Sequence, residues 1–122
     1  MGIFIDGLKA DVKKIWNAQI DSHTFNGLLP SKIKYVCFAD LSKPLGGEFK
    51  DIGNDLAFYE GRNAQLFFYP TGSACEMPFH NIPHIDLEKI IKNQNPFCIS
   101  VIKGKVNLKI EKDLNDPLVT IK

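Results

Sequence analysis

The sequence predicts an α+β fold: an N-terminal amphipathic helix packed on an antiparallel sheet of about five strands, ending in a three-strand meander. Three observations predict it. Apolar residues recur at helical spacing over residues 3–20. Two short runs, IKYVCFA (33–39) and QLFFY (65–69), are β-branched or aromatic and bounded by turn residues. The last third alternates apolar and polar residues on either side of Lys103-Gly104.

The first element is a helix over 3–20. Ile5, Leu8, Val12, Ile15, Trp16 and Gln19 fall on one stripe, while Lys9, Asp11, Lys13 and Lys14 lie mostly off it. Gly7 weakens the first turns by about 1 kcal/mol relative to Ala. Residues 23–30, with Gly27 and Pro30, read as a linker. The strand at 33–39 follows, then a loop at 40–47 (DLSKPLGG). Residues 51–60 suit a short helix with Ile52, Leu56 and Tyr59 on one side. The strand at 65–69 is closed by Pro70-Thr71-Gly72, and Pro78 and Pro83 keep 77–85 extended or irregular. Residues 86–92 (DLEKIIK) fit either a short helix capped by Asp86 or an edge strand.

A two-residue turn at Lys103-Gly104 makes FCISVI and KVNLKI a hairpin. That register pairs Phe97 with Ile110, Ile99 with Leu108 and Val101 with Val106, all on one face. The other face carries Cys98 opposite Lys109 and Ser100 opposite Asn107. After a turn at 114–117, residues 118–122 (LVTIK) form the last strand.

Length and charge narrow the function classes. The 122 residues suit one domain, 1–122, with a helix at 3–20 and a small antiparallel β domain at 31–122. Net charge is +1 and no run of Lys or Arg exceeds two, so a nucleic-acid or anionic-lipid footprint is missing. No apolar run approaches the roughly 18 residues of a membrane span. The N-terminus lacks the charged-then-apolar order of a signal peptide. With Met1 as the native start, these features imply a cytoplasmic chain. With an apolar segment ahead of Met1, they imply an anchored one.

The stretch ACEMPFHNIPH (74–84) is the main candidate for chemistry. Cys75, His80 and His84 would supply three ligands of a zinc-stapled interaction module, with Cys98, Cys37 or His23 as the fourth. The x3 spacing between the histidines works on a helix, but Pro83 and Pro78 oppose helical geometry there. A Cys/His nucleophile pair would need Cys75 beside His80 or His84, oriented by Glu76 or Asp86. No GxSxG, HExxH or phosphate-loop motif is present, and there is no CxxC. The expectation is therefore no catalytic residue, no enzyme and no cofactor. The aromatics at 67–69 with Phe79 read as core packing before a binding platform. Glu48, Asp51, Asp55 and Glu60 read as a solvated face.

Four segments together carry a resemblance: LPSKIKYVCFADLS (29–42), NPFCIS (95–100), GKVNLKIEK (104–112) and DPLVTI (116–121). The chain resembles the soluble part of small archaeal pilin-like (type IV pilin-like) membrane-anchored proteins. The resemblance implies a structural or adhesive domain outside the cell, anchored or assembled through an apolar helix that precedes this sequence. Residues 3–20 would then be the lower end of a stalk helix. Partners would be further copies or other surface proteins, met through that helix. It also implies that thiols pair, as they do outside the cell. The register puts Cys98 on the polar face and alternation puts Cys37 off the core. A disulfide between them would close a loop of about 60 residues and contribute roughly 2–4 kcal/mol. Two alternatives stand beside it: a bond between Cys75 and Cys98, and reduced thiols buried under a second layer such as the N-terminal helix.

Overall fold

The computed structural model describes residues 2–18, 21–62, 64–71 and 78–122. Its first element follows from the apolar stripe. Helix α1 (Gly2–Trp16) buries Phe4, Ile5, Leu8, Val12 and Ile15, and leaves Asp6, Lys9, Lys13 and Lys14 in solvent. The helix is shorter than the expected 3–20. At its end, Lys112 Nζ donates to the carbonyls of Trp16 (2.9 Å) and Ala18 (2.6 Å). These are acceptors that a helix terminus leaves open, and a cation suits that end of the dipole. Residues 19 and 20 lie outside the described residues.

The expected linker at 23–30 is mostly a strand, β1 (Asp21–Leu28). It pairs antiparallel with β6 (Lys105–Lys112) in unbroken register, from Asp21 opposite Lys112 to Leu28 opposite Lys105. Its sequence, DSHTFNGL, lacks the apolar alternation that marks a strand, because most of its side chains are exposed. Gly27 lets it fit. The Phe4 ring of α1 lies where a Gly27 side chain would be, so helix and strand approach closely.

The remaining strands are β2 (Tyr35–Phe38), β3 (Leu66–Tyr69), β4 (Phe79–His80), β5 (Phe97–Ser100) and β7 (Thr120–Ile121). They and the first pair make two antiparallel sheets, not the single five-stranded sheet expected. One has the order β1-β6-β7 and the other β4-β3-β2-β5. Helix α2 (Lys50–Leu56) runs on into one turn of 3-10 helix (Ala57–Tyr59). Helix α3 (Leu87–Ile90) resolves the ambiguity at 86–92: the Asp86 carboxylate accepts from Lys89 N at 3.1 Å and caps it.

The C-terminal meander is also corrected. The turn is present, with left-handed φ of 52° at Lys103 and 76° at Gly104. Only Ile102 and Lys105 pair across it, however, and then the two strands part. β5 joins β2, and β6 joins β1 and β7. The physical reason lies in their faces. β6 alternates exposed Lys105, Asn107 and Lys109 with buried Val106, Leu108 and Ile110, so it needs one face covered. β5 puts Phe97 and Ile99 on one side and buried Cys98 on the other, so it needs cover on both.

That two-sided sheet organises the core. Val36, Phe38, Leu66 and Phe68 face α1 and the three-stranded sheet, together with Leu8, Val12, Leu108 and Ile110. Phe4 bridges them, edge-on to Phe25 at 5.3 Å and to Phe68 at 5.7 Å. On the opposite face Cys37, Phe67 and Cys98 pack with Leu56, Ile52 and Tyr59 of α2 and its 3-10 turn. Each large apolar side chain buried this way contributes roughly 1.5–3 kcal/mol. Buried Asn95 ties down the loop before α2. Its Oδ1 accepts from Asp40 N (3.1 Å), and its Nδ2 donates to the carbonyls of Asp40 (2.8 Å) and Pro44 (3.3 Å).

Candidate functional site

Cys37 and Cys98 lie directly opposite each other on β2 and β5 and are joined by a disulfide. Alternation along both strands turns the two side chains to the same face. The layer over them is α2 and its 3-10 turn, not the N-terminal helix. The bond therefore crosses two neighbouring strands beneath a helical cover. It closes a separation of 61 residues, so in the chain-entropy picture it removes about 4 kcal/mol of freedom from the unfolded state.

Cys75 lies outside the described residues. The two histidines that would complete a zinc site have different surroundings. The His80 ring on β4 meets the Phe68 ring edge-on at 5.5 Å. The His84 ring stacks on Trp16 of α1 at 3.7 Å and 12°. His84 holds a left-handed φ of 71°, and its carbonyl accepts from Val119 N at 2.9 Å. Trp16 Nε1 donates to the Pro117 carbonyl at 3.1 Å. His84 and Trp16 thus fasten the end of α1 to the loop before β7. His23 pairs with Asp11 at 3.0 Å and ties β1 to α1. No cluster of three or more His, Cys, Asp or Glu suited to a metal occurs among the described residues.

The perturbed ionisable groups are joints between elements. Lys89 of α3 reaches Asp116 (3.0 Å) and Asp113 (3.3 Å) in the loop before β7. A hydrogen bond from Leu118 N, then the Lys89 ammonium, holds the Asp116 carboxyl below its usual range. Glu111 of β6 receives Lys122 (2.9 Å) and Lys109 (3.0 Å), and these two bonds lower its pKa. The Tyr69 hydroxyl donates to Asp55 of α2 at 2.5 Å, and that bond raises its pKa. These groups do not converge on one cleft.

The clefts themselves are shallow. One of about 380 Å³ is lined by Ile90, Phe97 and Ile121 and also by Lys89 and Lys122. Both ammoniums are already neutralised by the acids named above. A second, of about 370 Å³, is bordered by Asp40, Ser42, Arg62 and Gln65. Asp40 Oδ1 is spent on the Ser42 N–H and hydroxyl, and Gln65 Oε1 accepts from Ile82 N. The acids read as a solvated face, Glu48, Asp51, Asp55 and Glu60, are all exposed, and Asp55 also accepts from the Tyr69 hydroxyl. In the run 67–69, Phe67 and Phe68 are buried and Tyr69 is half-buried, so these residues pack both faces of β3.

The class these observations define is an α+β domain of two antiparallel sheets with an N-terminal helix and a cross-strand disulfide. Comparison with protein-family models, with curated proteins and with solved structures gave no match. No helix among the described residues is long and apolar enough to cross a membrane.

Proposed function

We propose that this chain is a pilin-like structural or adhesive domain displayed outside the cell, and that it is not an enzyme. The observation that carries the proposal is the disulfide between Cys37 and Cys98. Structural disulfides form and persist in oxidising compartments and are rare in reducing ones. The ion pairs point the same way. The shifted groups hold α3, β6 and α2 to their neighbours, whereas catalytic groups are shifted by convergence in a cleft. On this view the domain is anchored or assembled through a segment ahead of residue 1.

The test is made on protein recovered from its native cells without reductant. Thiol titration under denaturing conditions should find one free thiol per chain, since three cysteines less the bonded two leave Cys75. Protease added to intact cells should remove the domain. Three free thiols, or protection inside intact cells, would refute the proposal.

A further inference from the structure

We propose that two copies of this chain pair through β1, antiparallel across a two-fold axis, so that the two three-stranded sheets become one six-stranded sheet. The direction of the backbone groups leads to it. Lys109 and Lys122 exchange both hydrogen bonds, Lys109 N to Lys122 O at 3.1 Å and Lys122 N to Lys109 O at 2.9 Å. Odd-numbered residues of β6 therefore point to β7, and Val106, Leu108, Ile110 and Lys112 point to β1. Their partners are Gly27, Phe25, His23 and Asp21. Ser22, Thr24, Asn26 and Leu28 consequently aim N–H and C=O away from the sheet. Ser22 N turns back to its neighbour's carboxylate at 2.8 Å. Among the described residues, no hydrogen bond reaches the outward groups of Thr24, Asn26 or Leu28.

Among the described residues this edge lacks the usual protection. Between residues 22 and 28 there is no Pro, Lys or Arg, and the ladder to β6 runs without a bulge. Among the described residues the other edges are short: two residues in β4, two in β7 and four in β5, against eight in β1.

A second copy fits because the segment complements itself. With the axis at Phe25, Thr24 faces Asn26 of the other copy and Ser22 faces Leu28. All four are outward-pointing residues, so both pairs form hydrogen-bonded rungs. Phe25 meets its own copy, and His23 faces Gly27, which offers no side chain to clash. No charged side chain meets a like one between residues 22 and 28. The two-residue edge of β7 offers no strand of comparable length, so the contact closes as a dimer and does not propagate through this sheet. The pairing requires neither the location nor the role proposed above.

Sedimentation of the purified, oxidised chain from micromolar to millimolar concentration should show the 13.7 kDa species giving way to one of twice that mass. Thr24→Pro removes an outward donor and leaves the ladder to β6 intact, so it should weaken the dimer at least about tenfold with an unchanged unfolding midpoint. A second variant, Thr24→Glu with Asn26→Glu, covers the case where proline disturbs the fold. Within one chain, position 24 lies opposite Lys109, which accommodates a carboxylate. Across the axis, carboxylates at 24 and 26 face each other and should abolish the dimer. Mixing that variant with Thr24→Lys, Asn26→Lys should restore a heterodimer. A chain that stays monomeric throughout, a dimer indifferent to both variants, or an edge that takes only a foreign strand overturns the proposal.

Discussion

Gly27→Ala is the sharpest probe of how α1 meets β1. The φ of Gly27 is not left-handed, so alanine is allowed there by the backbone. In a strand, that replacement would ordinarily stabilise by about 0.5–1 kcal/mol. Here the new Cβ would lie 2.5 Å from Phe4 Cδ2, closer still to Cε2, and 3.0 Å from Phe25 Cε2. Carbon atoms sit comfortably at about 3.5–4.0 Å, so the Phe4 ring must retreat by more than about 1 Å. It has little room, because it is held edge-on between Phe25 and Phe68. Overpacking of this kind costs about 1–3 kcal/mol. With both ranges taken at their middle, subtracting the intrinsic gain leaves a net destabilisation of roughly 1 kcal/mol. Urea unfolding of Gly27→Ala, of Phe4→Ala and of the double variant makes the assay. Phe4→Ala alone should cost about 3–5 kcal/mol. In that background Gly27→Ala should turn neutral or stabilising, giving a coupling above about 1 kcal/mol. Additive effects, or a Gly27→Ala chain as stable as the wild type, would refute the close packing of ring on glycine.

Two further predictions rest on joints seen above. Replacing Cys37 and Cys98 together by alanine should cost about 4 kcal/mol and lower the urea midpoint by roughly 2 M, and reduction of the wild type should reproduce most of the loss. A double variant with the midpoint of the oxidised chain would contradict the cross-link. Stability should also fall in acid. The carboxyls of Glu111 and Asp116 are depressed in the fold, so in this range the unfolded chain binds more protons. Their contribution is complete above the ordinary carboxylate pKa and is lost as pH falls through the depressed values. Asp116→Asn should flatten that decline in a denaturation series across acid pH, and an unchanged slope would count against the Lys89 joint.

Much of the local structure was legible in the residues. The stripe Ile5, Leu8, Val12 and Ile15 marks α1, and Asp86 marks the cap of α3. Opposed alternation at Val36 and Cys37 marks a strand with two environments. β1 was not legible, because an edge strand with exposed side chains needs no apolar alternation. Its evidence is a ladder to residues more than 75 positions away, and the need for Gly27 appears only once Phe4 lies over it. The hairpin was misjudged for a related reason. Lys103-Gly104 specifies a turn, and a turn does not decide whether its arms remain partners. Likewise, the spacing of His80 and His84 could not reveal that one ring meets Phe68 and the other Trp16.

Taken alone, the sequence determined which segments are helix or strand where burial is one-sided and periodic. It also determined that Cys37 and Cys98 point away from Val36, Phe38, Phe97 and Ile99, but the face expected to be polar at Cys98 is a second buried core. Those properties depend on neighbours a few residues apart. The tertiary structure alone decided that the strands divide into two sheets, that α2 covers the disulfide, and that, among the described residues, β1 is left as an open edge. Partner choice is set by which faces must be buried together, and those faces come from residues far apart in the chain, 61 positions for Cys37 with Cys98 and 101 for Trp16 with Pro117.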